Sequence, residues 1–336
     1  MPKNNITLAD VAQHAGVSIM TASRALNNKG DVSPGTREKI RQAAEALGYR
    51  PNSLARSLAT NRSTTIGLVV PDIANPFFSE IARGVEDEAH FHGYNIFLCN
   101  FDEDPQHEQA ALNSLAEKQV DGLILCSSRQ EESDLQTQLK DFRHCVLINR
   151  SLEEPQPHTA AILLDDHQGA MQAAGHLLNH QRRRIAFLAG PPRSRSGQKR
   201  LAGYRDSLIQ HRFPFDPALV HHCQPDMHCG KQTAVQLLNT IPTPDAILAF
   251  NDLIALGAVQ ACLERGLRIP QDIEIIGFDD IPLAALITPT LTTLTYPKKE
   301  IGRRAMQTLL AMSHAQAIET VATYAPSFIF RQTSPE

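Results

Sequence analysis

Apolar residues recur along the first fifty positions at helical spacing. Leu8, Val11, Ala12 and Ala15 fall at i, i+3, i+4 and i+7, which places them on one face of a short helix. Thr7, three residues ahead of Asp10, has the spacing of a capping box. Gly16 supplies a sharp turn, and Ser18 stands where an N-cap would open a second helix over 19–26. Ser33-Pro34 joins an N-cap to a proline at the first helical position. It predicts a third helix that turns Ile40, Ala43, Ala44 and Leu47 inward and ends near Gly48. Helix, tight turn and helix within about 20 residues is a helix-turn-helix plan.

From Thr65 the rhythm changes to strand-length apolar runs that alternate with amphipathic stretches. TIGLVV, YNIFLCN, DGLILC and HCVLIN read as strands, with helices over about 78–92 and 106–119. The pattern restarts after EEPQPH with TAAILL, a helix over 167–180, RIAFLAG, helices over 198–211 and 228–239, DAILAF, a helix over 252–265 and IEIIGF. A last strand falls at about 327–331. Repeated βα units predict a doubly wound α/β fold, and two series predict two lobes. Ligands of such folds sit beyond the carboxyl ends of the strands, which between two lobes is the cleft.

Composition sharpens this picture in one respect. The 336 residues are 42% hydrophobic, enough for a sizeable core, and the net charge of −4 says little. Its distribution says more: residues 1–64 hold nine Lys/Arg against four Asp/Glu, and the rest holds 23 against 32. A basic head on an acidic body suits a polyanion-binding module joined to a separate domain. No apolar segment follows the start, and the apolar runs are too short to span a bilayer, so a cytoplasmic protein without membrane contact is expected. The six scattered cysteines read as reduced thiols.

Signs of an enzyme are missing. The chain has no G-x-G-x-x-G after a strand, no phosphate-cradling loop with Gly-Lys-Ser/Thr and no G-x-S-x-G elbow, so neither catalysis nor a cofactor is expected. Asp165-Asp166 and Asp279-Asp280 are adjacent in sequence and suit helix caps better than proton sharing. His221, His222, Cys223, His228 and Cys229 are competent metal ligands, but their spacing matches no common zinc motif, and no metal site is assigned.

In a helix-turn-helix the second helix lies in the major groove with its first side chains at base edges. Here those are Ile19, Met20 and Thr21, with Arg24 one turn on. Exposed Ile19 and Met20 suit thymine methyls, and Arg24 suits guanine or a phosphate. A plain three-helix packing module with a solvated Arg24 is the other reading of the same pattern. Residues 6–62 strongly resemble the headpiece of the lactose/galactose-repressor (LacI/GalR) family. The matching pieces are T-L-x-D-V-A, A-G-V-S-x-x-T-x-S-R, V-S-x-x-T-R-E-K-I, L-G-Y-x-P-N and A-R-S-L. The resemblance implies a homodimeric, sequence-specific transcription regulator, usually a repressor, on a pseudo-palindromic double-stranded DNA operator.

Carried over residue by residue, the resemblance assigns DNA contacts to Thr7, Ser18, Ile19, Met20, Thr21, Ser23, Arg24 and Asn27. Ala22 and Ala25 depart from the family, where many members carry Val, and a slight change of packing is expected. Residues 51–59 become a hinge, with Asn52 capping a helix over 53–59 that is too short to form alone in water. Leu58 would wedge into the central minor-groove step, with Asn52, Ala55 and Arg56 at the backbone or groove edges. Packing of Leu58 between domain and linker is the alternative. The implied domains are a headpiece over 1–50, a hinge over 51–62 and a body over 63–336. In the body, one lobe takes about 63–161 plus 295–322 and the other about 162–294 plus 323–331.

The body resembles periplasmic sugar-binding proteins as well as this repressor family. Four segments match ligand-contacting positions: PDIANPFF with Asn75, Phe77 and Phe78; GPPRSRSGQKRLAGY with Ser194, Ser196 and Arg200; AFNDLIALGA with Asn251; and IIGFDDIPLA with Asp279. Directional polar groups beside an aromatic face suit a sugar or sugar derivative. Phe77 and Phe78 as core, Asp252 as a cap or inter-lobe contact, and Asp279 as a turn residue remain open. Arg193, Arg195 and Lys199 form a basic run that suits a phosphorylated ligand, or simply a solvated loop. No leucine heptad follows the last strand, so a dimer is expected. The rival class is a transporter's solute-binding protein without DNA binding, against which the basic head argues.

Overall fold

The computed structural model describes residues 6–27, 30, 32–49, 62–240 and 242–336. The chain divides into two compact units, Met1–Ser63 and Thr64–Glu336. In the first, α1 (Leu8–Ala15), α2 (Ile19–Leu26) and α3 (Pro34–Leu47) enclose Val11, Ala12, Ala15, Ala22, Ala25, Ile40, Ala43 and Ala44. The capping box forms: Asp10 N–H donates to Thr7 Oγ1 at 3.4 Å, and Thr7 N–H to Asp10 Oδ2 at 2.8 Å. Ser18 and Ser33 cap α2 and α3 by accepting from Thr21 and Thr36 N–H. Gly16 and Gly48 end α1 and α3 at φ of 65° and 66°, a region glycine enters without steric cost.

The body contains a six-stranded sheet and a four-stranded sheet. β1 (Thr65–Val70), β2 (Asn95–Asn100), β3 (Gly122–Cys126), β4 (Cys145–Ile148), β5 (Thr159–Leu164) and β11 (Val321–Tyr324) lie in the order β11-β5-β4-β3-β1-β2, all parallel. β6 (Ile185–Ala189), β7 (Val220–His222), β8 (Ala246–Ala249) and β9 (Glu274–Ile276) follow the order β7-β6-β8-β9, again parallel. β10 (Thr293–Thr295) pairs antiparallel with β12 (Ser327–Ile329).

The helices of the body are α4 (Pro76–Phe91), α5 (Pro105–Glu117), α6 (Glu132–Leu139), α7 (Asp166–Asn179), α8 (Arg195–Gln210), α9 (Met227–Leu237), α10 (Asp252–Glu264) and α11 (Lys298–Ser313). Fully buried β1, β3 and β4 read as unbroken apolar runs because helices cover both faces. α4 and α11 cross so closely that a Cβ on Gly84 would stand 2.0 Å from Lys299 O, and one on Gly302 2.0 Å from Ile81 O. Any side chain there would force the pair apart.

Two lobe boundaries differ from the expectation. β5 runs to Leu164 in the first sheet, beyond the expected limit at 161, because it pairs with β4 and β11. The Pro-containing stretch before it looks like a restart but only links two strands of one sheet. β11 ends at Tyr324, two residues past the expected limit at 322. α6, α11, β7, β10 and β11 are separate elements that the sequence pattern did not predict.

Candidate functional site

On the headpiece, the α2 N-terminus presents the expected DNA-reading residues. Ile19 is 56% and Met20 64% exposed, and Thr7, Ser18, Arg24 and Asn27 are also exposed. Thr21 and Ser23 are half-buried on the same helix. Ala22 and Ala25 face the other way, into the three-helix core, at the positions where bulkier Val was the comparison. The Ser18 hydroxyl is shared between the Thr21 N–H and hydroxyl, and Asn27 Nδ2 donates to Ser23 O at 2.9 Å. Asn52, Ala55, Arg56 and Leu58 lie outside the described residues.

In the body, one cleft is lined by Asp72, Asn75, Phe77, Phe78, Glu103, Ser127, Arg129, Asn149, Ser196, Arg200, Pro225, Phe250 and Asp279, and its empty space, mouth included, is about 450 Å³. All but Arg200, which stands in the second turn of α8, follow the carboxyl end of a strand or open the next helix, the place where open parallel sheets bind ligands. The β1–α4 turn brings Asn75, whose Oδ1 also accepts from Phe77 N–H at 3.0 Å as the α4 cap. Glu103, Ser127, Asn149 and Asp279 hold positive φ of 60°, 49°, 57° and 107°. Such backbone costs about 1–3 kcal/mol per residue and collects at binding sites.

Arg200, on α8, is 3% exposed and fixed on every side. Nε donates to Asp166 Oδ1 at 2.8 Å, Nη2 to the same oxygen at 2.7 Å, Nη1 to Phe250 O, and Asp279 Oδ1 lies 3.7 Å from Nη2. The guanidinium lies 4.0 Å over the Phe278 ring and 5.0 Å over Phe250. Burial alone would lower its pKa, but Asp166 and Asp279 outweigh that, and the charge is retained. Asp279 is pushed up to about 7 by burial, against the pull of Arg200 and Lys298.

The facing wall carries a second cation. Arg129 Nε donates to Glu103 Oε2 at 2.5 Å and Nη1 to Ser127 O. Its loop is seated on Glu108, buried at the start of α5, which accepts from Ser128 Oγ at 2.5 Å and Arg129 N–H at 2.7 Å. Asn149 Nδ2 bridges Asp166 Oδ2 at 2.8 Å and Ser196 Oγ at 3.0 Å, while its buried Oδ1 has no partner. That leaves one unpaired acceptor on a side chain that lines the cleft.

Six expected residues therefore meet at the cleft: Asn75, Phe77, Phe78, Ser196, Arg200 and Asp279. Ser194 and Asn251 are absent from its wall. Both are buried helix caps, Ser194 accepting from Gly197 N–H at 3.2 Å and Asn251 from Ile254 N–H at 2.9 Å. Asn251 Nδ2 is also engaged, donating to Pro225 O at 3.2 Å. Asp252 is an interior pin, accepting from Ile281 N–H at 2.9 Å and Thr293 Oγ1 at 2.6 Å. Arg193 is exposed, Arg195 and Lys199 half-buried, and none of the three lines the cleft. Asp72, Glu103, Ser127, Arg129, Asn149, Pro225 and Phe250 were missed, although a search of every segment after a strand end would have found them.

A helix-turn-helix headpiece joined to a two-lobed parallel α/β body with its cleft at the strand ends defines a DNA-binding regulator built on a solute-binding frame. The family described as bacterial regulatory proteins, lacI family, matches residues 7–52, and periplasmic binding proteins and sugar binding domain of LacI family matches residues 63–327. The chain belongs to the LacI family of DNA-binding transcription regulators. It is 35% identical over 332 residues to catabolite control protein A of Priestia megaterium, covering 98% of this chain and 99% of that protein. It is 35% identical over 315 residues to the HTH-type transcriptional repressor CytR of Escherichia coli, covering 93% and 91%. The lac repressor dimer bound to operator and the anti-inducer ONPF is similar at a TM-score of 0.89 and 29% identity, covering 99% of this chain and 100% of that one. Among the described residues no helix is long and apolar enough to cross a membrane.

Proposed function

We propose that the chain is a homodimeric repressor whose affinity for a pseudo-palindromic operator is set by an uncharged polyhydroxylated ligand, a sugar or sugar derivative, in the body cleft. The observation that carries the ligand class is the charge balance of the wall. Arg129 and Arg200 face Asp72, Glu103 and Asp279, and both guanidinium groups already hold carboxylates. A phosphate would have to compete with those acids, whereas hydroxyls can add to them and to Asn149 Oδ1 beside Phe77, Phe78 and Phe250. None of Arg193, Arg195 and Lys199, the basic run that suited either a phosphorylated ligand or a solvated loop, is on the cleft wall, which supports the uncharged ligand.

The DNA contacts proposed are Thr7, Ser18, Ile19, Met20, Thr21, Ser23, Arg24 and Asn27 on the headpiece and Asn52, Ala55, Arg56 and Leu58 on the hinge. Support for the dimer comes from β2, an edge strand with Phe97 and Leu98 exposed, and from exposed Leu283 and Leu286 near the Pro282–Ala285 turn. Unpaired apolar edges invite a second chain. The experiment is operator binding to DNA upstream of the protein's own gene, with a panel of neutral sugars and sugar phosphates at fixed salt. A neutral sugar that shifts the affinity supports the reading. A response confined to phosphorylated sugars overturns the uncharged ligand, and no response to any compound overturns sugar control.

A further inference from the structure

Far from the cleft wall, the end of α7 carries two histidines one turn apart. His176 and His180 stand at i and i+4, with ring centroids 4.1 Å apart. Opposite them Glu274 opens β9 at 4% exposure. One ligand atom from each of these three residues lies within 4.8 Å of the other two, and among the described residues no other His, Cys, Asp and Glu group comes together in this way. The His221–Cys229 run, which the sequence offers first, does not: His221 Nε2 lies 3.0 Å from Ala218 O and His222 Nδ1 2.9 Å from Gly190 O.

We propose that His176, His180 and Glu274 bind a divalent transition-metal ion of the zinc class, with the Ser334 hydroxyl at the fourth position. The two Glu274 oxygens are differentiated. Oε1 accepts from Arg182 Nε at 2.8 Å, which orients the carboxylate as an outer-shell partner does. Oε2 lies 3.0 Å from His180 Nδ1 and 2.5 Å from Ser334 Oγ, and that hydroxyl lies 3.0 Å from His176 Nε2. An oxygen atom thus already bridges the donors. Zinc with bonds of about 2.0–2.1 Å sets tetrahedral donors about 3.4 Å apart, so side-chain shifts of about an ångström convert the cluster.

The chemistry of the donor set favours this class of ion. Two imidazoles with one carboxylate suit zinc and its neighbours, whereas calcium and magnesium prefer all-oxygen cages. Phe328 and Phe330 pack against His176 at 5.4 and 5.1 Å, an apolar shell on one side. A bound ion would fasten α7 and β9 to the C-terminal segment.

The test uses the full-length chain, stripped with a chelator and titrated with zinc chloride by calorimetry, with thermal midpoint as a second readout. The expectation is one ion per chain at about micromolar Kd or tighter, a raised midpoint, and at least about a tenfold loss of affinity in His176→Ala and in His180→Gln. His222→Ala and Cys229→Ala should bind as the wild type does. Should either histidine variant fail to fold, the visible spectrum of the cobalt(II)-loaded wild type decides. Nitrogen and oxygen donors give tetrahedral bands without thiolate charge transfer, and a thiolate band overturns the proposal. So does a wild type that takes up no zinc at micromolar concentration, or binding that survives His176→Ala and is lost in His222→Ala.

Discussion

At the scale of single residues, two side chains of the cleft have testable consequences that their sequence positions do not announce. Asp279 is pushed from an ordinary 3.8 to about 7, so the folded state holds its proton more tightly than the unfolded chain. Its contribution to stability is complete below pH 4 and is lost as pH rises through about 7. Arg200, Lys298, Asp166 and Asp252 face it, and Asp252 shifts the same way. Asp279→Asn cannot ionise, so its thermal midpoint should gain on the wild type between pH 5 and pH 8, by the equivalent of ~2 kcal/mol or more. A constant gap across that range would show that Asp279 does not titrate there. Arg200→Ala leaves Asp166, 0% exposed, without its cation. The expected cost is ~3–5 kcal/mol of body stability, read from denaturant unfolding. A variant as stable as the wild type would make Arg200 a ligand contact with no structural part.

At the scale of elements, α2 joins two properties that rarely coincide: a well-capped helix and apolar side chains left in solvent. Truncating Ile19 or Met20 to Ala removes little buried area, so stability should change by less than about 0.5 kcal/mol. Operator affinity, measured by titration at fixed salt, should fall by about fivefold or more if the methyl-contact reading holds. Unchanged affinity would remove both residues from the base edges. The headpiece helices were legible in the sequence because their caps are local: Thr7, Ser18 and Ser33 each bond the helix they begin. α11 was legible too, through Ile301, Ala305 and Leu309 at i, i+4 and i+8. It went without a reading because the strands on either side of it, β10 and β11, are only three and four residues long. β11 and β7 are short, half-exposed edge strands with no pattern of their own. Only pairing with β5 and β6 makes them strands.

At the scale of the whole molecule, the two units are joined by thermodynamics whatever the path between them. If a cleft ligand changes operator affinity by some factor, operator DNA must change the ligand's affinity by the same factor. Calorimetric titration of the ligand identified by the operator assay, with and without saturating operator, should return that factor within error. Unequal factors would mean that the ligand acts on the DNA or on assembly, since the equality holds for any ligand site on the protein. A factor of about 5–150 is typical of such coupling.

Spacing along the chain sufficed for the headpiece helices and for the alternation of strands and helices, because such spacing runs over a few residues and survives without tertiary context. Six of the cleft residues were reached through the family resemblance. The tertiary structure decided which strands share a sheet, since β5 and β11 meet across more than 150 positions of chain. It also decided which polar side chains serve the cleft and which serve their own helix. Ser196 and Ser194 are two residues apart, yet Ser196 meets Asn149 from the other lobe while Ser194 accepts from Gly197 N–H in the helix it caps. Arg129 and Arg200 come from distant segments and become facing walls only when the lobes are assembled. Local periodicity fixes the face of an element, but only packing fixes what that face meets, because the partner lies far away in the chain.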